Sequence, residues 1–281
     1  MTDTQASIDN PESLLAASVD EFQAILLEGV SRTFALTIPQ LPMGLYKEVA
    51  NAYLLCRIVD TVEDEVSLSA EQKEHFCLRF IDVVKTGNGA ASFAKDLSPL
   101  LSEQTIPAEH ILVQLTERVI EITHSFAPEQ IEALLGCVDA MAKGMPGYQS
   151  MDLSGGLATM KDMDEYCYYV AGCVGEMLAK LFCHYSPEIN QHREQLLTLS
   201  TSFGQGLQMT NILKDIWDDA KRGVCWLPQD VFTEVGFDLK DLNTSESTAE
   251  FRLGLKHLLS TAQNHLKDAM TYTLLIPSHE V

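Results

Sequence analysis

The 281-residue chain carries 40 acidic against 19 basic residues, a formal net charge of −21, and 46% of its residues are hydrophobic. That balance excludes a nucleic-acid partner, which needs clustered cations to neutralise phosphates, and the apolar content excludes a disordered chain. No unbroken apolar run reaches the ~18 residues of a membrane-spanning helix, and residues 1–20 lack the basic start and apolar stretch of a secretory signal.

Taken in chain order, residues 1–20 read as a flexible acidic tail ahead of one helical domain over 21–281. Phe22, Ile25, Leu26, Gly29 and Val30 fall at helical spacing. After Pro39 and Pro42 a long helix is predicted from Leu45 to Glu65, and another starts near Ser69, whose spacing to Gln72 is that of a capping box. Residues 86–99, with two glycines and few large side chains, read as a loop. Helical periodicity resumes over 107–126 and 128–143, with Pro128 suited to a first helical turn. Gly144, Pro146, Gly147, Gly155 and Gly156 mark a second irregular region. Two strong helices follow over 163–184 and 188–220, and a last one over 246–275, stopped by Pro277. Period-two alternation bounded by hairpin turns is almost absent, so no sheet is expected and the fold class is all-α. The final Ser278-His279-Glu280-Val281 lacks terminating logic, so a truncated C-terminus is expected. The seven cysteines form no C-x-x-C pair and read as buried free thiols in a reducing, cytoplasmic compartment.

Two acidic stripes about 150 positions apart carry the chemistry. Asp60, Glu63 and Asp64 stand at i, i+3 and i+4, about 6 Å of rise end to end. Helical spacing extends that face back to Arg57 and Tyr53. In the second stripe Gln208, Asn211, Asp215, Asp218 or Asp219, and Arg222 step by three and four. One reading is two solvated faces of ordinary helices. Against it, like charges at i, i+4 destabilise a helix, and each set sits near a helix C-terminus, where the macrodipole disfavours anions. If the stripes face each other, each pair ~5 Å apart repels by about 3 kcal/mol at an effective dielectric near 20, unless cations fill the gap. All-oxygen ligands suit a hard ion, magnesium rather than zinc, and Arg57, Lys214 and Arg222 are placed to hold phosphates. A di-iron bundle needs two E-x-x-H motifs, and only Glu121 to His124 qualifies.

Four motifs resemble the squalene/phytoene synthase family, the head-to-head prenyl transferases. Ser31-Arg32-Thr33-Phe34 is similar to its S-[RK]-[ST]-F entry segment, and Tyr53 to Asp64 to its first aspartate-rich helix. Tyr166 to Gly175 resembles its Y-C-x-x-V-A-G-x-V-G signature. Gln208 to Pro228 resembles its second acidic motif, with Lys214 in place of the commoner Arg. The resemblance implies a helical bundle of the isoprenoid-synthase type around a central apolar cavity. It implies magnesium held by Asp60, Asp64, Asn211, Asp215 and Asp219, with Glu63 and Asp218 in support. It places Arg57, Lys214 and Arg222 on diphosphate oxygens near Ser31, Arg32 and Gln208, and Tyr53 and Phe34 along the cavity. Tyr166 matches a tyrosine that steers the first half-reaction, and Ala171, Gly172 and Gly175 leave room for a prenyl chain or let two helices pack closely. Asp60-Thr61-Val62-Glu63-Asp64 is nearer the squalene-forming branch than the phytoene-forming one. The resemblance therefore implies two farnesyl diphosphates as substrates and NADPH as reductant, the alternative being a phytoene- or dehydrosqualene-forming member without a hydride step. NADPH rests on the resemblance alone, since no G-x-G-x-x-G follows a strand. A monomer with at most transient, peripheral membrane contact is expected.

Overall fold

The helices begin where the sequence supplies caps. In the computed structural model, which describes residues 11–31, 33–149, 151–242 and 248–281, the Ser18 hydroxyl accepts from the Glu21 N–H at 3.3 Å and opens α2 (Val19–Val30). Ahead of it lies α1 (Pro11–Ala16), which buries Leu14 completely. The expected tail is therefore helical from Pro11: one leucine has a core site, and one serine starts the next helix. Then come α3 (Phe34–Thr37), a 3₁₀ turn at Ile38–Gln40, and α4 (Met43–Asp64). The capping box of Ser69 and Gln72 is present in both directions at the start of α5 (Ala70–Thr86), which ends on Gly87 at φ 72°.

Residues 86–99 do not form the expected loop. They contain α6 (Ala90–Leu97), entered through Gly89 at φ 82°, with Phe93 and Leu97 fully buried. Two apolar side chains one turn apart suffice to dock a short helix that composition alone conceals. Next are α7 (Pro107–Gln114), α8 (Thr116–Thr123) and α9 (Pro128–Gln149). The irregular region expected from Gly144 is helical up to Gln149, because burial of Met141, Ala142, Met145 and Tyr148 outweighs the hydrogen bond lost at Pro146.

The expected helix over 163–184 is interrupted: α10 (Met160–Cys167) passes through a π-helical turn at Tyr168–Gly172 into α11 (Cys173–Tyr185). The helix predicted over 188–220 divides into α12 (Pro187–Asn190) and α13 (Arg193–Lys221). The remainder is α14 (Gln229–Glu234), a 3₁₀ turn at Leu239–Asp241, and α15 (Ala249–Leu274), capped by Thr248. No strand occurs among the described residues, only an isolated bridge between Leu157 and Pro228. No described helix is long and apolar enough to cross a membrane. All seven cysteines are buried and none forms a disulfide, as expected.

Contacts cluster into two compact units. The first comprises the residues up to Pro146 with Lys180–Gln191 and Pro277–Val281; the second comprises Gly147–Ala179 and His192–Ile276. In the first, Leu45, Leu54, Leu55 and Ile58 of α4 are fully buried. Asn51, also fully buried, holds α4 in register through its side chain. Its Nδ2 donates to the Val119 carbonyl at 3.2 Å and the Thr123 hydroxyl at 2.7 Å, and its Oδ1 accepts from Gln23 at 3.4 Å. In the second unit, Met209, Ile212 and Ile216 of α13 pack with Phe232, Phe251 and Leu258.

Glu65 secures the end of α4. It is 2% exposed, and its carboxylate accepts from Ser67 N–H at 2.8 Å, Ser102 N–H at 2.8 Å and the Thr105 hydroxyl at 2.7 Å. Burial raises its pKa, but these hydrogen bonds prevail and hold it at about 2, against an ordinary 4.5. Because the folded-state pKa is depressed, the stabilisation is complete above the unfolded value of about 4.5 and is lost as pH falls towards 2. Glu65→Ala is expected to cost about 3 kcal/mol at pH 7, and the difference in denaturation midpoint from wild type should narrow between pH 5 and pH 3.

Candidate active site

In the first unit the acidic stripe is organised around Arg57. Its guanidinium donates to the Tyr53 hydroxyl at 3.0 Å and lies 3.9 Å from Asp60 and 3.6 Å from Glu109 of α7. Tyr53 in turn donates to the Val30 carbonyl at 3.4 Å, and the Phe34 ring lies 5.3 Å from its ring. Ser31 accepts from the Phe34 N–H at 3.0 Å and so starts α3. Phe34 is half exposed; it lines the Tyr53 side rather than filling core. Arg32 lies outside the described residues.

The cluster is overloaded with negative charge. Burial drives the Asp60 carboxyl up to about 7; Arg57 opposes this, and Asp64 and Glu109 add to it. Three carboxylates thus share one guanidinium, and a divalent cation among them would relieve the excess. The Arg57 Nε is buried without a hydrogen-bond partner, a donor suited to an anionic oxygen. On both counts these residues fit magnesium with a diphosphate. Glu63 does not join them. It is 3% exposed and turned towards α5, where its charge helps burial raise the Cys77 thiol to about 12. One residue of helical phase separates it from Asp64 and is enough to put it inside the unit. The stripe of Asp60, Glu63 and Asp64 is therefore corrected to Asp60 and Asp64 with Glu109, which no spacing signal on α7 disclosed.

In the second unit the ladder lies on α13. Asn211 is exposed, Asp215 half buried and Asp219 8% exposed. Arg222 donates to Asp219, and the Lys214 ammonium is 3.5 Å from Asp215. Asn211, Asp215 and Asp219 offer oxygens at steps of four, the donor chemistry of a hard cation, with Gln208 one turn ahead. Asp218 is different: its side chain is 73% exposed and paired with Lys221 at 2.8 Å. The choice left open between Asp218 and Asp219 falls on Asp219.

Tyr166 is clamped. Its ring stacks on Trp226 at 3.9 Å and 9°, and the Tyr148 ring lies 5.4 Å from it. Trp226, which lies inside the second acidic motif, fixes the orientation of this tyrosine. The small residues prove to serve helix packing. A Cβ on Gly175 would meet the Ser200 carbonyl oxygen at 2.1 Å, and one on Gly172 would meet Tyr168 at 2.9 Å. Gly204 of α13 is equally tight, with the Ala171 carbonyl oxygen at 2.0 Å. The space expected for a prenyl chain at Gly172 and Gly175 is filled by α13 and by Tyr168, so neither is retained as a substrate contact. Ala171 remains half exposed beside them.

The model of the family described as squalene/phytoene synthase matches residues 27–281. The chain belongs to the squalene/phytoene synthase family. It is 31% identical over 260 residues to the squalene synthase of Eremothecium gossypii, covering 88% of this chain and 54% of that protein. It is 32% identical over 259 residues to that of Saccharomyces cerevisiae, again covering 88% and 54%. The chain thus spans just over half the length of these curated relatives. Its fold matches a solved complex of TcSQS with a ligand at a TM-score of 0.75 and 23% identity, covering 92% of this chain and 72% of that one. All four sequence motifs fall within the matched residues.

Proposed function

We propose that this chain is a squalene synthase, a prenyl transferase that joins two farnesyl diphosphates head to head through presqualene diphosphate and reduces the product to squalene with NADPH. The relatives named squalene synthase support the choice of product over phytoene or dehydrosqualene. The observation that carries the chemistry is the crowding of Asp60, Asp64 and Glu109 around one guanidinium whose Nε has no partner.

In this reading Asp60 and Asp64, and likewise Asn211, Asp215 and Asp219, are the oxygen ligands that would hold magnesium. Bound there, magnesium would supply positive charge against a departing diphosphate. Arg57, kept in place by Tyr53, binds diphosphate oxygens through its spare Nε–H, and Lys214 and Arg222 do the same from α13. Ser31 and Gln208 are assigned to the same oxygens. Phe34, Tyr53 and Ala171 line the prenyl chains and exclude water, which would trap an allylic cation as an alcohol. Tyr166, locked against Trp226, steers capture of that cation by the second substrate's double bond and the proton loss that closes the cyclopropane. Seven buried cysteines outside any disulfide suit a reducing, cytoplasmic compartment.

Conversion of presqualene diphosphate to squalene requires a hydride, the chemistry NADPH supplies. The described helices offer no strand–turn–helix seat for its pyrophosphate, so no residue is assigned to it. Incubation with farnesyl diphosphate and magnesium, with and without NADPH, tests the proposal. Squalene formed only with NADPH supports it. Dehydrosqualene regardless of reductant, or phytoene from the C20 substrate, would replace it with the other branch of the family.

A further inference from the structure

We propose that Trp226 is a positioning residue whose stack on Tyr166 sets how much of the allylic cation the second substrate captures and how much water takes, a role that rests on the function proposed for Tyr166. The two rings are 3.9 Å apart and 9° from parallel. Every other ring contact among the described residues is at least 5.2 Å centre to centre. Aromatic pairs left to themselves favour about 4.5–7 Å, offset or edge-on. The closer contact is therefore imposed by the backbone that carries the two rings.

Residues 224–230 run as a strap tied down at both ends. At its start the Val224 N–H donates to the carbonyl of Asp219, the buried end of the carboxylate ladder, at 3.0 Å. The Cys225 N–H donates to the Leu153 carbonyl at 2.9 Å. Just past the tryptophan, the Leu157 N–H donates to the Leu227 carbonyl at 2.9 Å and the Gln229 N–H to the Leu157 carbonyl at 2.7 Å, the pattern of a parallel bridge. Gly156, at φ 93°, permits that approach, since a Cβ there would meet the Leu227 carbonyl oxygen at 2.5 Å. Cys225 and Leu227 are buried in the core on either side of the half-buried indole. At the far end the Asp230 carboxylate accepts from the N–H of Met160, at 3.0 and 3.1 Å to its two oxygens. Met160 is the first residue of α10, the helix that carries Tyr166. The indole is thus fixed against one face of the phenol ring, with the Tyr148 ring 5.4 Å away and tilted by 59°. An aliphatic side chain of similar bulk would fill the same space without defining a plane, which separates positioning from packing.

Trp226→Leu and Trp226→Phe, assayed with farnesyl diphosphate, magnesium and NADPH, test this by product analysis. The leucine variant should form presqualene diphosphate and squalene about a hundredfold more slowly, with KM for farnesyl diphosphate within about threefold of wild type. In their place it should release C15 alcohols, formed when water adds its oxygen to the cation and gives up a proton. The phenylalanine variant keeps a ring in the plane and should recover to within about tenfold of wild type, with an intermediate share of alcohol. Near-ultraviolet circular dichroism needs no turnover: Tyr166→Leu and Trp226→Leu should abolish the same band, and the double substitution should remove no more. The inference is overturned by a leucine variant with wild-type rate and products, by a rate loss that tracks a lowered melting temperature at an unchanged product ratio, or by dichroism losses that add. Should the leucine variant not fold, an unchanged ratio of alcohol to squalene in the phenylalanine variant overturns it equally. A wild-type chain that makes only phytoene from the C20 substrate would sink the farnesyl reading instead, and the same variants then test the stack on C20 alcohol against phytoene.

Discussion

Asp60→Asn is expected to lower the proposed squalene formation at least about a thousandfold while raising the melting temperature of the metal-free protein at pH 8. The first effect follows from removing a charged ligand where diphosphate departs, roughly 4 kcal/mol of transition-state stabilisation. The second follows from the cost of keeping that carboxylate ionised. Its pKa stands at about 7 against an ordinary 3.8, because of burial first and then Asp64 and Glu109, with Arg57 resisting. A folded-state pKa raised in this way makes stability highest at low pH and drains it as pH climbs from about 4 through 7. The neutral amide escapes that loss, worth a few kcal/mol at pH 8, less whatever Arg57 forfeits by losing a partner. Melting curves with a chelator at pH 8 and pH 5 should show a gain at the higher pH that shrinks at the lower. A variant that is less stable at both would make Asp60 a plain ion-pair partner of Arg57.

Gly204→Ala is expected to be the most damaging single methyl in the second unit. The added Cβ would sit 2.0 Å from the Ala171 carbonyl oxygen and 2.4 Å from its carbon, both backbone atoms that no rotamer change can move. Helix α13 and the π-helical turn would have to separate, at a cost of at least about 3 kcal/mol, or roughly 6–12 °C in melting temperature. Gly175→Ala, facing the Ser200 carbonyl oxygen at 2.1 Å, should do the same. Gly136→Ala is the control, since nothing lies within 4 Å of its Cβ position. Helix propensity favours alanine at all three helical sites, so losses of similar size that include Gly136→Ala would contradict close approach as their cause.

These glycines also show where sequence reading reaches its limit. The long helix carrying Arg57, Asp60 and Asp64 was legible because apolar residues repeat at helical spacing over more than five turns, and its end follows from the acidic run. The capping box at Ser69 was legible for the same local reason. Helix α6 was not, because its burial rests on just Phe93, Leu97 and two alanines, set among glycines and serines that imitate a loop. At the site, spacing placed Asp60 and Asp64 together but could not resolve Glu63, whose inward turn depends on α5 being packed against that side. Glu109 escaped notice because it belongs to another helix, and a partner brought in by tertiary packing leaves no periodic trace. Tyr166 was found by motif, whereas the Trp226 ring that holds it was not, since stacking across 60 positions has no local signal.

The central proposal is that binding of the divalent cations requires the carboxylates of both α4 and α13. Manganese binding to the full chain in the presence of diphosphate, followed by electron paramagnetic resonance, tests it most directly. Asp60→Ala and Asp215→Ala should each abolish the diphosphate-dependent, spin-coupled manganese signal, and the double substitution should do no more than either alone. If each variant instead leaves the other stripe binding manganese with wild-type affinity, so that the two losses simply add, the stripes bind separately and the account fails.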